Sequence, residues 1–518
     1  MSGRMNGAQS LLRTLVNCEV EVCFGNPGTS EMHFVAALDS VPQMRAVLCL
    51  FEGVVTGAAD GYGRIAGKPA ATLLHLGPGL ANGLANLHNA RRAATPVVNV
   101  VGDHATYHLQ YDAPLTSDIA GFARPVSDWL HESRRAEDVA SDAARAVQAA
   151  RTAPGGIATL VVPADTAWNE APSAAHKLPD RPAAPVDAVT VDAIARLLVN
   201  GRRTALLLRG AALRGAGLEA AGRLQALTGA RLLCDTFAPY AELGAGRVPV
   251  ERIPYFAEQI VDFLKDFEQI VFVGAKPPVS FFAYPGKPSW CSPPESHLAC
   301  LAHAHEDGAQ ALVAIADTLG APLHSPVRVP LQLPDLPGGP LTALGVAQVI
   351  AHLTPDDVIY ADESVTSSFP LLATLARARP HTHLPVTGGS IGQGLPLAIG
   401  AAIAAPGRKV ICPHGDGGAA YTLQALWTMA REQLDIVVVI YANRSYAILN
   451  IELDRVGAVG SGPVALSMFD LHNPEMNWTK IAEGFGVEAS RATTCEEFAS
   501  QYASALAQRG PRLIEAMI

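Results

Sequence analysis

Residues 414–446, HGDGGAAYTLQALWTMAREQLDIVVVIYANRSY, decide how this chain is read. HGDGGAA predicts a tight glycine turn, and Leu423, Leu426, Trp427 and Ala430 then recur at helical spacing. DIVVVIYAN follows, a β-branched apolar run that suits a buried strand. A glycine turn that opens a helix is an anion site, because unpaired N–H groups and the helix dipole converge on one point. Yet Asp416 stands in the middle of this turn. Its carboxylate repels a phosphate unless a divalent cation lies between them. Mg²⁺ takes oxygen ligands from one or two protein groups together with phosphate oxygens. The next strand ends at Asn443, and neighbouring parallel strands bring their C-terminal ends together. Asn443 then offers an amide oxygen and Ser445 a backbone carbonyl. Alone, Asp416 reads as a loop cap and Asn443 as a turn residue. At the ends of successive strands, together, they point to a metal and a phosphate.

Composition narrows the setting. A chain of 518 residues is too long for one core, so several domains are expected. With 49% hydrophobic and 17% charged residues it is globular rather than disordered. A net charge of −10 disfavours nucleic acid or an anionic membrane as the main partner. The longest apolar candidates, such as LPLAIGAAIAA at 395–405, are too short to span a bilayer. MSGRMNGAQSLLRTLVNCEVEVCFGN at the N-terminus lacks a signal-peptide core. The eight cysteines are scattered without a CxxC, the usage of reduced thiols in a cytoplasmic enzyme.

Three parts follow one another, each alternating helical patterns with short apolar runs, the rhythm of α/β domains with parallel sheets. Residues 1–168 contain RAVLCLF, AATLLHL and TPVVNVVGD; residues 188–325 contain TALLLRG, ARLLCD and QIVFVGA; residues 341–518 contain DVIYADES and RKVICPHGDGG. Linkers rich in Pro and Ala or in Pro separate them at 169–187 and 321–340. The first and third parts also match in order. Each runs a helix, an apolar strand, a histidine (His75, His414), a Gly-rich turn, a second helix and a second strand. A duplicated fold with different turn chemistry suggests one ligand gripped from two sides.

GDG followed by Asn at this spacing resembles the binding motif of thiamin diphosphate (ThDP) enzymes, the family of acetolactate synthase, pyruvate decarboxylase and benzoylformate decarboxylase. The resemblance covers the whole chain. It implies three doubly wound parallel-sheet α/β domains: pyrimidine-binding, central and diphosphate-binding. It further implies Mg²⁺ held by Asp416, Asn443 and the Ser445 carbonyl, with Gly415, Gly417, Gly418 and Tyr446 around the cofactor. DESVTS implies Val365 and Thr366 at the diphosphate, and TGGSI implies Gly389 and, as the prop that bends the cofactor, Ile391. Glu52, in AVLCLFEGVVTGAADGYG, takes the place of the glutamate that bonds the aminopyrimidine ring and favours its imino tautomer. As a helix-start acid it also has a plain capping explanation. FGNPGTSEMHF closely resembles the GNPG turn of benzoylformate decarboxylase, and implies Asn26, Pro27 and Gly28 at the cofactor and Thr29 facing substrate. LLHLGPG implies His75 as a proton relay, for which an imidazole titrating near neutral pH is suited. Tyr446 and Leu449 are candidates to line the pocket.

The expected activity is non-oxidative decarboxylation or carboligation of a 2-oxo acid, by a homodimer or homotetramer whose sites are shared between subunits. Some residues depart from the family pattern. Phe281 and Phe282 stand where benzoylformate decarboxylase has its second histidine, Phe51 precedes Glu52 where many relatives have His, and Gly418 replaces a frequent Ser. His104 and His108 are spaced apart, unlike the adjacent pair of pyruvate decarboxylase, and no segment reads convincingly as an FAD site. The roles of His104, His108 and His414 stay open. So do a ThDP lyase acting on an acyl-CoA or a 2-hydroxy ketone and an idle ThDP fold, although the presence of Glu52 speaks against the last. GPGLANG lacks the downstream acid of a dinucleotide site, and no GxxxxGK[ST] occurs.

Overall fold

The computed structural model describes residues 5–458 and 462–518; Met1–Arg4, the start of the stretch read for a leader, lie outside it. Three parallel sheets organise the chain. The N-terminal sheet holds Val22–Gly25, Arg45–Leu48, Ala70–Leu74, Val97–Asp103, Trp129–Glu132 and Ile157–Pro163. The C-terminal sheet holds Val358–Asp362, His381–Pro385, Val410–Gly415, Ile436–Ala442, Glu488–Ala492 and Arg512–Met517. Counted along the chain within each domain, both sheets have the order 2-1-3-4-6-5. The duplication seen in the sequence is thus a duplication of topology. A five-stranded parallel sheet between Thr204 and Ala302 forms the central domain. The short strand Ala241–Leu243 leaves it to pair antiparallel with His381–Pro385, on the edge of the C-terminal sheet.

Strands buried on both faces explain the continuous apolar runs. Every residue of Val97–Asp103 and of Ile436–Ala442 is buried. Burial of each Val or Ile in such a strand contributes roughly 1.5–3 kcal/mol. One apolar core, with Val54, Ala58, Leu395 and Ile399 among its members, lies between the N- and C-terminal sheets, while separate cores cover their outer faces.

The shared core is built around two topologically equivalent helices, Glu52–Ala66 and Gly394–Ala404, each following the second strand of its domain. Glycines let them touch. A Cβ at Gly61 would lie 2.1 Å from the Leu397 carbonyl oxygen, and one at Gly400 would lie 1.9 Å from that of Ala58. Asp60 and Arg64 form a buried ion pair on the same face, and Arg64 also donates to the Pro385 carbonyl and the Thr387 hydroxyl of the C-terminal domain.

One expectation is corrected. The helix predicted after the glycine turn is two short helices, Asp416–Ala419 and Ala425–Arg431. Between them the buried Thr422 hydroxyl donates to the Gly392 carbonyl at 2.9 Å, tying the intervening turn to a neighbouring loop.

Candidate active site

The edge of the N-terminal sheet at which its strands end assembles one cluster. Glu52 opens its helix and is only 6% exposed. Asn26 Nδ2, just past the first strand, donates to Glu52 Oε1 at 3.1 Å, and Asn82 Nδ2 donates to Oε2 at 3.0 Å. The carboxylate therefore has a fixed orientation without a cationic partner among these bonds. His75 caps the helix Leu76–Ala93, and its Nδ1 lies 2.8 Å from Glu31 Oε2. The same oxygen accepts the Gly28 N–H at 2.7 Å, so Glu31 ties the GNPG turn to the histidine. Gly28 has to be glycine: a Cβ there would lie 2.3 Å from the His75 ring. Burial pushes the Glu31 carboxyl up from its ordinary pKa, against the opposing pull of the Gly28 N–H and His75. Its Oε1 has no hydrogen-bond partner among the described residues and points at Gly102, where a Cβ would come within 1.7 Å. Pro27 is part-buried and Thr29 exposed at the start of the same turn.

The matching edge of the C-terminal sheet holds a second cluster. Asp416 begins the helix after the third strand; its Oδ1 accepts the Gly417 N–H at 2.8 Å and its Oδ2 the Arg444 N–H at 2.7 Å. Burial nonetheless raises the pKa of this carboxyl, which those N–H bonds only partly offset. Asn443 Oδ1 accepts the Ser445 N–H at 3.1 Å and keeps a lone pair. Tyr446 lies against Gly417, where a Cβ would meet its ring at 2.4 Å. Val365 adopts φ +48°, a conformation that a β-branched residue rarely takes, at the turn beside Thr366. Strained backbone of this kind clusters where a ligand is clamped. Gly389 also has positive φ, and the Phe281 ring closes over it: a Cβ there would lie 2.5 Å away. Phe281 packs in turn on Phe237, Tyr255 and Phe282. Ile391 is part-buried and Leu449 exposed.

Within each domain the residues singled out in the sequence come together, and the hydrogen bonds just described stay inside one cluster or the other. Glu31 and Asn82 were not singled out, and both had a signal. Glu31 closes the turn that Thr29 opens, and Asn82 stands two helical turns past His75 on the same helix face. Glu363 and His414 form a third unpredicted pair, with His414 Nε2 3.3 Å from Glu363 Oε2. Gly418, the departure from the family pattern, has a steric cause, since a Cβ there would lie 2.6 Å from Glu363 Oε1. The rings of His104 and His108 lie tilted to each other, 5.4 Å apart, past the fourth strand of the N-terminal sheet, and none of the hydrogen bonds above reaches them.

The donors at the C-terminal edge suit a hard divalent cation: one carboxylate, one amide oxygen and a backbone carbonyl. Desolvation of Asp416 is the penalty such a cation removes. Among the described residues there is no group of three His, Cys, Asp or Glu side chains of metal-binding arrangement, which makes a zinc-type centre the poorer match. No helix is long and apolar enough to cross a membrane, among the described residues.

Comparison with known proteins agrees with this geometry. The family described as "Thiamine pyrophosphate enzyme, N-terminal TPP binding domain" matches residues 5–123, and its C-terminal TPP binding domain matches residues 367–516. A Mycobacterium tuberculosis protein named "Putative acetolactate synthase large subunit IlvX" is 52% identical over 99% of both chains. Benzoylformate decarboxylase of Pseudomonas aeruginosa is 30% identical over 95% of both. The solved structure of a Rhodococcus jostii 4-hydroxybenzoylformate decarboxylase superposes with a TM-score of 0.86 over 99% of each chain at 23% identity, which shows the shared fold. On these matches, the chain belongs to the thiamine pyrophosphate enzymes, with the cofactor-binding domains of that family at its two ends.

Proposed function

We propose that this chain is a ThDP- and Mg²⁺-dependent enzyme that decarboxylates a 2-oxo acid, and that it works in the cytoplasm as a homo-oligomer. The observation that carries the reading is the pairing of two dissimilar carboxylates on equivalent edges of one duplicated fold. Glu52 is held by two amides, and Asp416 is buried beside Asn443 and Ser445. When bound, ThDP supplies the electron sink for the carbanion left by CO₂ loss.

The protein's own groups have separable tasks. Asp416, Asn443 and the Ser445 carbonyl would hold Mg²⁺, and Gly417 and Gly418, bare of side chains, would let the diphosphate approach the backbone. Val365, Thr366, Gly415 and Tyr446 would enclose the same end, and Gly389 lets the chain turn so that Ile391 would support the cofactor. Asn26 and Asn82 leave Glu52 free to share a proton with the aminopyrimidine ring, while Pro27 and Gly28 shape the turn beside it. His75, with Nδ1 directed by Glu31, presents Nε2 to take or give a proton near the substrate, and Thr29 offers a hydroxyl. The phenylalanines at 281 and 282 provide apolar surface where a polar relay stands in benzoylformate decarboxylase, so proton traffic falls to the His75 side.

Each edge holds only part of the donor set, which favours sites completed by a second copy of the chain. All eight cysteines are free, in keeping with a reducing compartment. Domain borders at the linkers 169–187 and 321–340 complete the assignment. The 52% identity to a chain named for acetolactate synthesis supports carboligation with a second 2-oxo acid as the alternative reaction.

The test is CO₂ release by the purified protein with ThDP and Mg²⁺ across 2-oxo acids from pyruvate to benzoylformate, with analysis for aldehyde or acetolactate. Release from any of them is expected. No release from the whole panel would sink the proposal.

A further inference from the structure

Glu363 has no part in the chemistry above. It is buried, 2% exposed, and its carboxylate accepts N–H bonds from Gly392 at 2.6 Å, Gln393 at 2.7 Å and Gly394 at 2.6 Å, the turn that opens helix Gly394–Ala404. His414 Nε2 approaches from another side at 3.3 Å. The Glu363 backbone is pinned as well: its N–H donates to the Pro413 carbonyl at 2.9 Å, and its carbonyl accepts the Gly415 N–H at 3.0 Å. This single residue therefore touches three loops. One continues directly into Val365 and Thr366, one carries Gly389 and Ile391, and one carries Asp416. N–H bonds to a buried carboxylate are short and strong, and removing the carboxylate leaves three donors stranded, while an amide in its place keeps only one of the two acceptor oxygens.

The loops need such a tie. Val365, Gly389 and Gly392 have φ of +48°, +76° and +90°, so none of these turns is held by a regular ladder. The Gln393 side chain also reaches Asp60 of the N-terminal domain, which links the same knot to the helix that begins with Glu52. The contact at Gly418 shows how tightly the carboxylate is packed: the space of a side chain there is taken by Glu363 Oε1.

We infer that Glu363 is a positioning residue for the cofactor, holding the Val365–Thr366 turn, the Ile391 loop and the Asp416 loop in register, and that position 418 is glycine because this carboxylate fills its side-chain space. The inference rests on ThDP being held at this edge, but not on which 2-oxo acid is the substrate.

Calorimetric titration of ThDP in the presence of Mg²⁺ into the full-length apo protein tests it without any turnover. Glu363→Gln is expected to raise the Kd at least tenfold. Ile315→Ala, in the separate core of the central domain, lowers the melting temperature yet leaves the Kd within twofold, which separates positioning from general loss of stability. Gly418→Ser alone is expected to raise the Kd at least tenfold, and to add less than twofold in a Glu363→Ala background. An unchanged Kd in Glu363→Gln would overturn the inference, as would equal losses for Gly418→Ser in both backgrounds. If the Glu363 variants do not fold, Gly418→Ser reads the same contact unaided, and an unchanged Kd there overturns it too. A parent protein that bound no ThDP would refute both this inference and the functional reading, whereas a parent that bound ThDP but released no CO₂ would refute only the latter.

Discussion

The N- and C-terminal domains share one strand order and differ in what they do with a carboxylate at the edge where the strands end. In the N-terminal domain Glu52 meets two neutral amides, which orient it through both of its oxygens. In the C-terminal domain Asp416 meets backbone N–H groups in a buried setting, and Glu363 caps a helix. The same contrast runs through the histidines. His75 is part-exposed at the N-terminal edge, while His381, His383 and His414 are buried in the C-terminal sheet. On the function proposed above, one copy of the fold would move protons and the other would grip the cofactor. Topology supplies the positions, and the local partners choose the chemistry.

The sharpest way to break this comparison is to exchange its losses. Asp416→Ala is expected to weaken ThDP·Mg²⁺ binding by a hundredfold or more, about 3 kcal/mol. Glu52→Gln is expected to leave binding within a few-fold and lower turnover by about a thousandfold or more, within the range lost with a positioned acid or base. Titration calorimetry beside CO₂ release checks both, and a Glu52→Gln enzyme with full activity would remove the proton role from the N-terminal domain.

His75→Ala is expected to cost about a hundredfold in kcat with cofactor affinity unchanged. Glu31→Gln should reproduce part of that loss and move the pH profile of kcat, because Glu31 directs Nδ1 of His75. Identical profiles for Glu31→Gln and the parent would reduce Glu31 to a turn anchor.

The third prediction concerns stability. Burial drops the His381 pKa to about 4, well below its ordinary 6.5. The unfolded chain therefore takes up a proton near pH 6.5 that the native protein refuses until about pH 4. Stability then falls as the pH is lowered through this window, by at most about 3 kcal/mol. Urea midpoints between pH 7 and 4 measure the slope, and His381→Phe is expected to flatten it. A slope that survives the substitution would place the acid sensitivity elsewhere.

The smallest effect tests the N-terminal cluster. Gly102→Ala places a methyl in the space of Glu31 Oε1 and is expected to cost about 1–3 kcal/mol of stability, read from denaturation midpoints. It should also lower kcat by displacing the partner of His75. A stable Gly102→Ala protein with normal kcat would show that the Glu31–His75 contact is not needed in this form.

Much of this was legible before any coordinates. Buried parallel strands read as apolar runs because both faces are covered, so the three α/β units and the duplication stood in the sequence. The glycine turn, Asp416, Asn443, Glu52 and His75 are each marked by local spacing at a strand end. Glu31 with His75, Asn82 with Glu52, and Glu363 with Gly392–Gly394 were not. These partners are 44, 30 and 29–31 positions apart, so which of them meet depends on strand order and on which way each turn faces. The break of the predicted helix at Thr422 has the same origin, a bond to the Gly392 carbonyl that no local pattern encodes.

By itself, then, the sequence determined the class of fold and the residues standing at the strand ends, because hydrophobic period and turn composition are local properties, while the cofactor was implied by resemblance to a family. Only the tertiary structure decided that Glu52 is held by two side-chain amides, that Asp416 is buried against backbone N–H groups and that Glu363 caps a helix. That choice depends on desolvation and on hydrogen-bond donors brought in from distant segments, and neither exists until the sheets are assembled.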